Sequence, residues 1–178
     1  MIARKIFSTR GYSDTALEEI VREAGLTRGA LYHHFDGKKG LFLAAFENAQ
    51  SEIAARIIQA TGAKGSAWEK LISSTYAFFE ACRDIELQRI VLIDAPAILG
   101  WDVWLRVDEE KTHENLRTLL KELIEDGVIK PLAVEPLTHL ISGACNEAVL
   151  WIAQSDDPKK AFDEAWSTMK ALLYSLRK

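Results

Sequence analysis

The chain has no apolar run long enough to cross a bilayer, and no basic-then-apolar leader is read at its start. A cytoplasmic protein without a membrane partner is the expectation. It has only two cysteines, Cys82 and Cys145, far apart and without flanking metal-type neighbours. They read as buried, reduced thiols, with a redox switch as the alternative. Alternating strand patterns, internal repeats and low-complexity tracts are missing. So are the constellations of catalysis. There is no Ser/His/Asp, Cys/His or zinc spacing, since His33 and His34 adjoin and His113 and His139 stand isolated, and no glycine-rich phosphate loop follows a strand. No catalytic residue, cofactor or metal ligand is therefore assigned, and an enzyme is not expected. Positive charge is not in excess either: the formal net charge of −4 argues against indiscriminate nucleic-acid binding.

The charge is nonetheless unevenly placed. Residues 1–46 carry seven Lys/Arg against five acids, a net of +2, so the remainder of a chain at −4 carries −6. A mildly basic head on an acidic body would confine a polyanion to the head. The 178 residues, 48% of them hydrophobic, suffice for a small head and a larger body with its own core.

Thr15 to Phe35, TALEEIVREAGLTRGALYHHF, organises the head. It reads as two short helices joined by a tight turn. Thr15 is the expected N-cap of the first, with Glu18 completing a capping box. Leu17, Ile20, Val21 and Ala24 recur at helical spacing. Gly25 permits a left-handed turn, Leu26 is expected to tuck beneath it, and Thr27 caps the second helix. Ala30, Leu31 and Phe35 then face inward, leaving Arg28, Gly29, Tyr32 and His33 outside. This is the layout of a helix-turn-helix, whose second helix lies in a DNA major groove; a hydrophobic helix pair inside a bundle is the competing reading.

Beyond that pair, LTRGALYHHFDGKKGLF (Leu26 to Phe42) resembles the TetR family of bacterial transcriptional regulators, and ARKIFSTRGYSDTALEEIVREAG (Ala3 to Gly25) resembles the end of that family's first helix and all of its second. These motifs cover about the first quarter of the chain. The first helix begins almost at the start of the sequence, so minor-groove contacts from a preceding arm are not assigned. The fold expected is all-α, with about nine helices: a three-helix head carrying the helix-turn-helix over residues 1–46, and a ligand-binding and dimerisation body over residues 47–178.

In that head Arg28 is placed to donate two hydrogen bonds to a guanine, and Thr27 to reach a phosphate or a thymine methyl. Gly29 would let backbone approach the duplex. Tyr32 and His33 suit phosphates, as the corresponding family positions commonly do, and Thr15 and Lys38 are further phosphate candidates. Asp36 is the expected cap of the next helix, which runs to about Ala60, on the order of 35 Å, and would link head to body.

Within the body, helices are expected over about Ala67–Cys82 and Asp84–Ile93 (ended or interrupted by Pro96). Further helices are expected from Trp101 or Asp102 to about Asp126, from Pro136 to about Gln154, and from Pro158 onward. The last two are apolar over a wide arc, which needs two surfaces to pack on. One is the body; the other is read as a second copy about a two-fold axis, through Ala144, Ala148, Trp151, Phe162, Trp166, Met169 and Leu173. The resemblance implies the same dimerisation, and a small-molecule pocket as well. Phe79, Trp101, Trp104, His113 and Asn146 are the candidates to line it, although ordinary core packing would explain each aromatic. The partners expected are a double-stranded operator, a second copy of the chain and an unidentified small-molecule effector. A repressor released from a palindromic operator by its ligand is the reading, against a helical module whose DNA binding is lost or ligand-independent.

Overall fold

In the computed structural model the described residues are 2–62 and 65–178. Met1, Ala63 and Lys64 lie outside them. The helices are α1 (Ile2–Arg10), α2 (Leu17–Glu23), α3 (Arg28–Phe35), α4 (Gly37–Thr61), α5 (Ala67–Ala81), α6 (Ile85–Gln88), α7 (Ala95–Leu99), α8 (Trp101–Asp108), α9 (Glu114–Glu125), α10 (Val134–Ala153) and α11 (Pro158–Ser175). Two π-turns, Arg89–Asp94 and Glu109–His113, join α6 to α7 and α8 to α9, so the continuous helical runs among the described residues number nine. No strand occurs among the described residues; an isolated bridge pairs Ile129 with Arg177. The all-α expectation holds.

The chain forms two compact units. One comprises residues 1–52 and 84–108, the other residues 53–83 and 109–178. In the first, Phe7 and Phe42 are fully buried and meet edge to face with ring centroids 5.2 Å apart, and Tyr12 lies edge-on to Phe42 at 5.3 Å. Burial of one such side chain stabilises by about 1.5–3 kcal/mol. α1 packs on α6 and the first π-turn. Across that contact Arg4 reaches Glu86 (2.5 Å) and, on α4, Glu52 (2.6 Å). Burial alone would lower the Arg4 guanidinium, but the two carboxylates hold it above its ordinary value. Arg89 donates to the Ser8 carbonyl at 2.9 Å and pairs with Asp94 at 3.4 Å. Ile2, at the start of α1, is 43% exposed.

Pro96 explains the first π-turn. It has no N–H for the Leu92 carbonyl, and its ring would press on that group in a regular helix. The turn widens instead: the Ala95 N–H reaches back to the Ile90 carbonyl. The Val91 carbonyl is then bypassed, because its partner five residues on is Pro96 itself. The Trp104 indole N–H fills the gap, donating to it at 2.7 Å. The helix thus continues through Pro96 to Leu99 rather than ending there.

The second unit packs α5, α9, α10 and α11 around Leu71, Leu120, Leu123 and Ile129, each at most 1% exposed. α5 opens with a capping box: the Ser66 hydroxyl accepts from the Glu69 N–H, and the Glu69 carboxylate accepts from the Ser66 N–H at 2.8 Å. The chain's end is tied in by the Lys130 N–H, which donates to the Leu176 carbonyl at 2.8 Å.

Candidate nucleic-acid interface

The turn between α2 and α3 closes as its residues dictate. Gly25 sits at φ +64°, its N–H donates to the Arg22 carbonyl, and the Leu26 N–H donates to the Val21 carbonyl at 3.0 Å. This left-handed closure satisfies carbonyls that the end of α2 would leave open. Thr27 then caps α3, its hydroxyl accepting from the Ala30 N–H at 3.2 Å. At the far end Asp36, at φ +49°, closes α3 as a left-handed C-cap, not the role of cap for the next helix expected of it. Gly40 lies so close to the Phe35 carbonyl oxygen that a Cβ there would be 1.6 Å from it, so the approach of α4 to α3 requires glycine.

α3 buries a single residue, Leu31. Thr27, Arg28, Gly29, Tyr32, His33 and His34 are all exposed, and nothing crowds the Cβ direction of Gly29. The Arg28 guanidinium lies 5.7 Å above the Tyr32 ring and 3.4 Å from Glu18. Its pKa is raised, first by its hydrogen bond to Tyr32 and then by Glu18. Both side chains of the Arg28–Glu18 pair are about two-thirds exposed, so water screens it and Arg28 can exchange Glu18 for another acceptor. Lys38 is half-buried. Its ammonium donates to the Ser13 carbonyl at 3.2 Å and sits 4.5 Å over the Tyr12 ring.

Thr15 departs from expectation. It is 1% exposed and its hydroxyl donates to the Gly11 carbonyl at 2.7 Å, so it neither caps α2 nor presents a donor at the surface. Ala16 occupies the N-cap position without a side-chain hydrogen bond. Leu26, expected under the turn, is 48% exposed.

In the second unit a small cavity of about 50 Å³ is lined by His113, Thr112, Ser142, Ser74, Phe78 and neighbours on α5, α9 and α10. Of the residues expected to line a pocket, His113 alone does so. Phe79 is core, edge-on to Phe162 and Trp166 with centroids 6.0 and 5.8 Å away. Trp104 is buried, with its indole N–H committed to Val91. Trp101 stacks on it at 4.7 Å and is otherwise exposed. Asn146 is half-buried on α10, away from the cavity wall.

The expected partner-facing set divides as well. Phe162, Met169 and Leu173 are 7%, 5% and 1% exposed and belong to the protomer's own core. Trp166 is half-buried against Tyr76 and Phe79. Ala144, Ala148 and Trp151 line an open groove with Ala165, Leu172 and the edge of the otherwise buried Met169, and Leu140, Trp151, Leu172 and Tyr174 are the large hydrophobic side chains exposed on α10 and α11.

Sequence reasoning missed Glu18 beside Arg28, Ser142 beside His113, and the approach of the two histidines thought isolated. The His113 and His139 rings lie with centroids 5.3 Å apart. Their spacing along the chain carries no trace of this, because they sit on different elements.

Two family descriptions match the chain: "Tetracyclin repressor-like, C-terminal domain" over residues 68–176, and "Bacterial regulatory proteins, tetR family" over residues 2–45. The crystal structure of a TetR-family transcriptional regulator from Pectobacterium atrosepticum is similar, with 36% identity and a TM-score of 0.83 over 99% of this chain and 90% of that one. The Transposon Tn10 TetC protein of Escherichia coli is 27% identical over 141 residues, 79% of this chain and 71% of the relative. The HTH-type transcriptional repressor KstR2 of Mycolicibacterium smegmatis is 26% identical over 154 residues, 84% of this chain and 75% of the relative.

Proposed function

The chain belongs to the TetR family of bacterial regulatory proteins, a DNA-binding transcriptional regulator with an N-terminal helix-turn-helix, and we propose that it is a cytoplasmic repressor that grips a palindromic operator as a homodimer and releases it on binding a small molecule. The observation that carries the DNA-binding half is α3, which buries only Leu31 while Arg28, Gly29, Tyr32 and His33 are exposed on its outer side. A helix so poorly buried by its own protein has the form of one that a second surface completes. Arg28 would read a guanine, Thr27 a phosphate or thymine methyl, and Tyr32, His33 and Lys38 the sugar–phosphate wall. Thr15 is dropped from this set.

Dimerisation through α10 and α11 rests on the groove lined by Ala144, Ala148 and Trp151. Its small residues admit a close neighbour, and its apolar rim is left to water in the protomer. Two heads so joined would meet half-sites ~34–36 Å apart or a multiple of it. An effector that moves the population from 1:99 to 99:1 between operator-binding and released forms must discriminate them by ~5.5 kcal/mol. The cavity beside His113 is the place proposed for it.

The deciding experiment is a gel shift and footprint with the DNA upstream of the protein's own reading frame. A footprint with two-fold symmetry that disappears in Arg28→Ala is the expected result. Failure of the wild-type chain to retard any such fragment, while it still dimerises, would favour a ligand-binding module without DNA activity.

A further inference from the structure

We propose that Glu109, His113 and His139 form a binding site for one divalent first-row transition-metal ion, zinc being the fitting representative. One ligand atom from each of the three lies within 4.8 Å of the others. Glu109 and His113 are four residues apart on the second π-turn, one turn along the same face, and His139 comes across from α10. His139 Nε2 is already 3.8 Å from Glu109 Oε1, and the two imidazoles cross edge to face.

The chemistry of this set suits borderline cations. Two imidazole nitrogens and one carboxylate bind zinc at ~2.0–2.2 Å, which places ligand atoms of a tetrahedral site ~3.4 Å apart. Closing from 4.8 Å requires a contraction of about 1.4 Å. The side chains able to supply it are the mobile ones: His139 is 47% and Glu109 40% exposed. His113, 2% exposed, is the fixed member.

The outer partner of His113 fits the same reading. Its Nε2 lies 2.9 Å from Ser142 Oγ. When Nε2 carries the proton and donates to Ser142, the lone pair is left on Nδ1. A histidine bound to metal through one nitrogen and oriented through the other is the usual arrangement. Arg117, the strong cation of this region, is committed elsewhere. It binds Glu135 through two contacts of 2.7 and 3.1 Å and Glu114 at 2.8 Å, so the neighbouring carboxylates are neutralised without drawing on Glu109. Three protein ligands leave at least one coordination position for water or an anionic donor. His113 also belongs to the cavity wall, so an ion held here would neighbour that space.

The test uses the full chain, stripped with chelator and titrated with zinc chloride by calorimetry, with cobalt(II) absorption as the coordination readout. One ion per chain is expected, and zinc at ~100 times its Kd raises Tm by ~5–10 °C. His139→Ala and Glu109→Gln, both at half-exposed positions, keep the metal-free Tm and weaken zinc at least ~10-fold, and Ser142→Ala, acting through His113, weakens it ~10–100-fold. His34→Ala leaves zinc binding intact. No zinc binding by the wild-type chain up to millimolar concentration, or binding that survives His139→Ala, overturns the proposal. Binding lost in His34→Ala instead would place the ion in the head and overturn it equally. DNA binding enters none of these readouts, so the outcome is independent of the operator reading.

Discussion

α3 and α5 are opposite solutions to being a helix. α3 buries one residue of eight, Leu31, and holds its position by closures at both ends: the Gly25 turn and Thr27 cap before it, and the left-handed Asp36 and close-packed Gly40 after it. α5 buries eight of fifteen, among them Leu71 and Phe79, and is gripped by α9, α10 and α11. Helices gain most of their stability from packing an apolar face rather than from propensity. α5 meets that requirement internally. α3 meets little of it, and its polar outer row is free for another surface. The contrast separates a part whose sequence is set by packing from one whose sequence is set by what it touches.

The sharpest attack on that contrast is in the cores. Phe42→Ala in the first unit should lower stability by ~3–5 kcal/mol and Leu120→Ala in the second by ~2–5 kcal/mol, read from urea unfolding. A loss under ~1 kcal/mol at either site would mean the core there collapses to fill the gap. Arg28→Ala should do the reverse. Stability should stay within ~0.5 kcal/mol, the pair to Glu18 being exposed, while operator affinity falls and discrimination at one base pair drops by ~1–3 kcal/mol. Unchanged discrimination would leave Arg28 as a phosphate contact only.

Lys38→Ala probes the border between the two kinds of residue, since its ammonium donates to the Ser13 carbonyl and is also proposed to meet a phosphate. The slope of log K against log[salt] should shrink by ~0.9 if one phosphate contact is lost. An unaltered slope would remove Lys38 from the interface and leave it a structural tie. The smallest effect belongs to the α5 cap: Ser66→Ala should cost ~1 kcal/mol. Glu69 is held below its ordinary 4.5 by the Ser66 N–H first and its hydroxyl second. Because the folded value is the depressed one, its contribution is present above 4.5 and is lost as pH falls through the lower folded value. Thermal melts taken from about pH 5 downward should therefore show a steeper acid-side fall for the wild type than for Glu69→Gln; parallel curves would show that the box contributes nothing.

Much of the head is legible in its residues alone. Gly25, Thr27 and Leu31 act through bonds and spacings within a few residues of themselves, and the helix-turn-helix is assembled from such terms. The same locality failed at Thr15, where a hydroxyl that looks like a cap is drawn to the Gly11 carbonyl and buried. The π-turn before Pro96 could be suspected from the proline's missing N–H, but its completion by Trp104, thirteen residues past Val91, could not.

The order of helices, their polarity and the outward row of α3 were present in the chain as written, since propensity, capping and periodicity are short-range physics. Which of the apolar residues on α10 and α11 go inward is another matter: Phe162, Met169 and Leu173 fill the protomer's core while Trp151 and Leu172 remain outside. So is the meeting of His139 with Glu109 and His113. Those outcomes depend on the rotation of one helix against another. That angle is settled by the summed packing of many side chains, and no single stretch of sequence contains it.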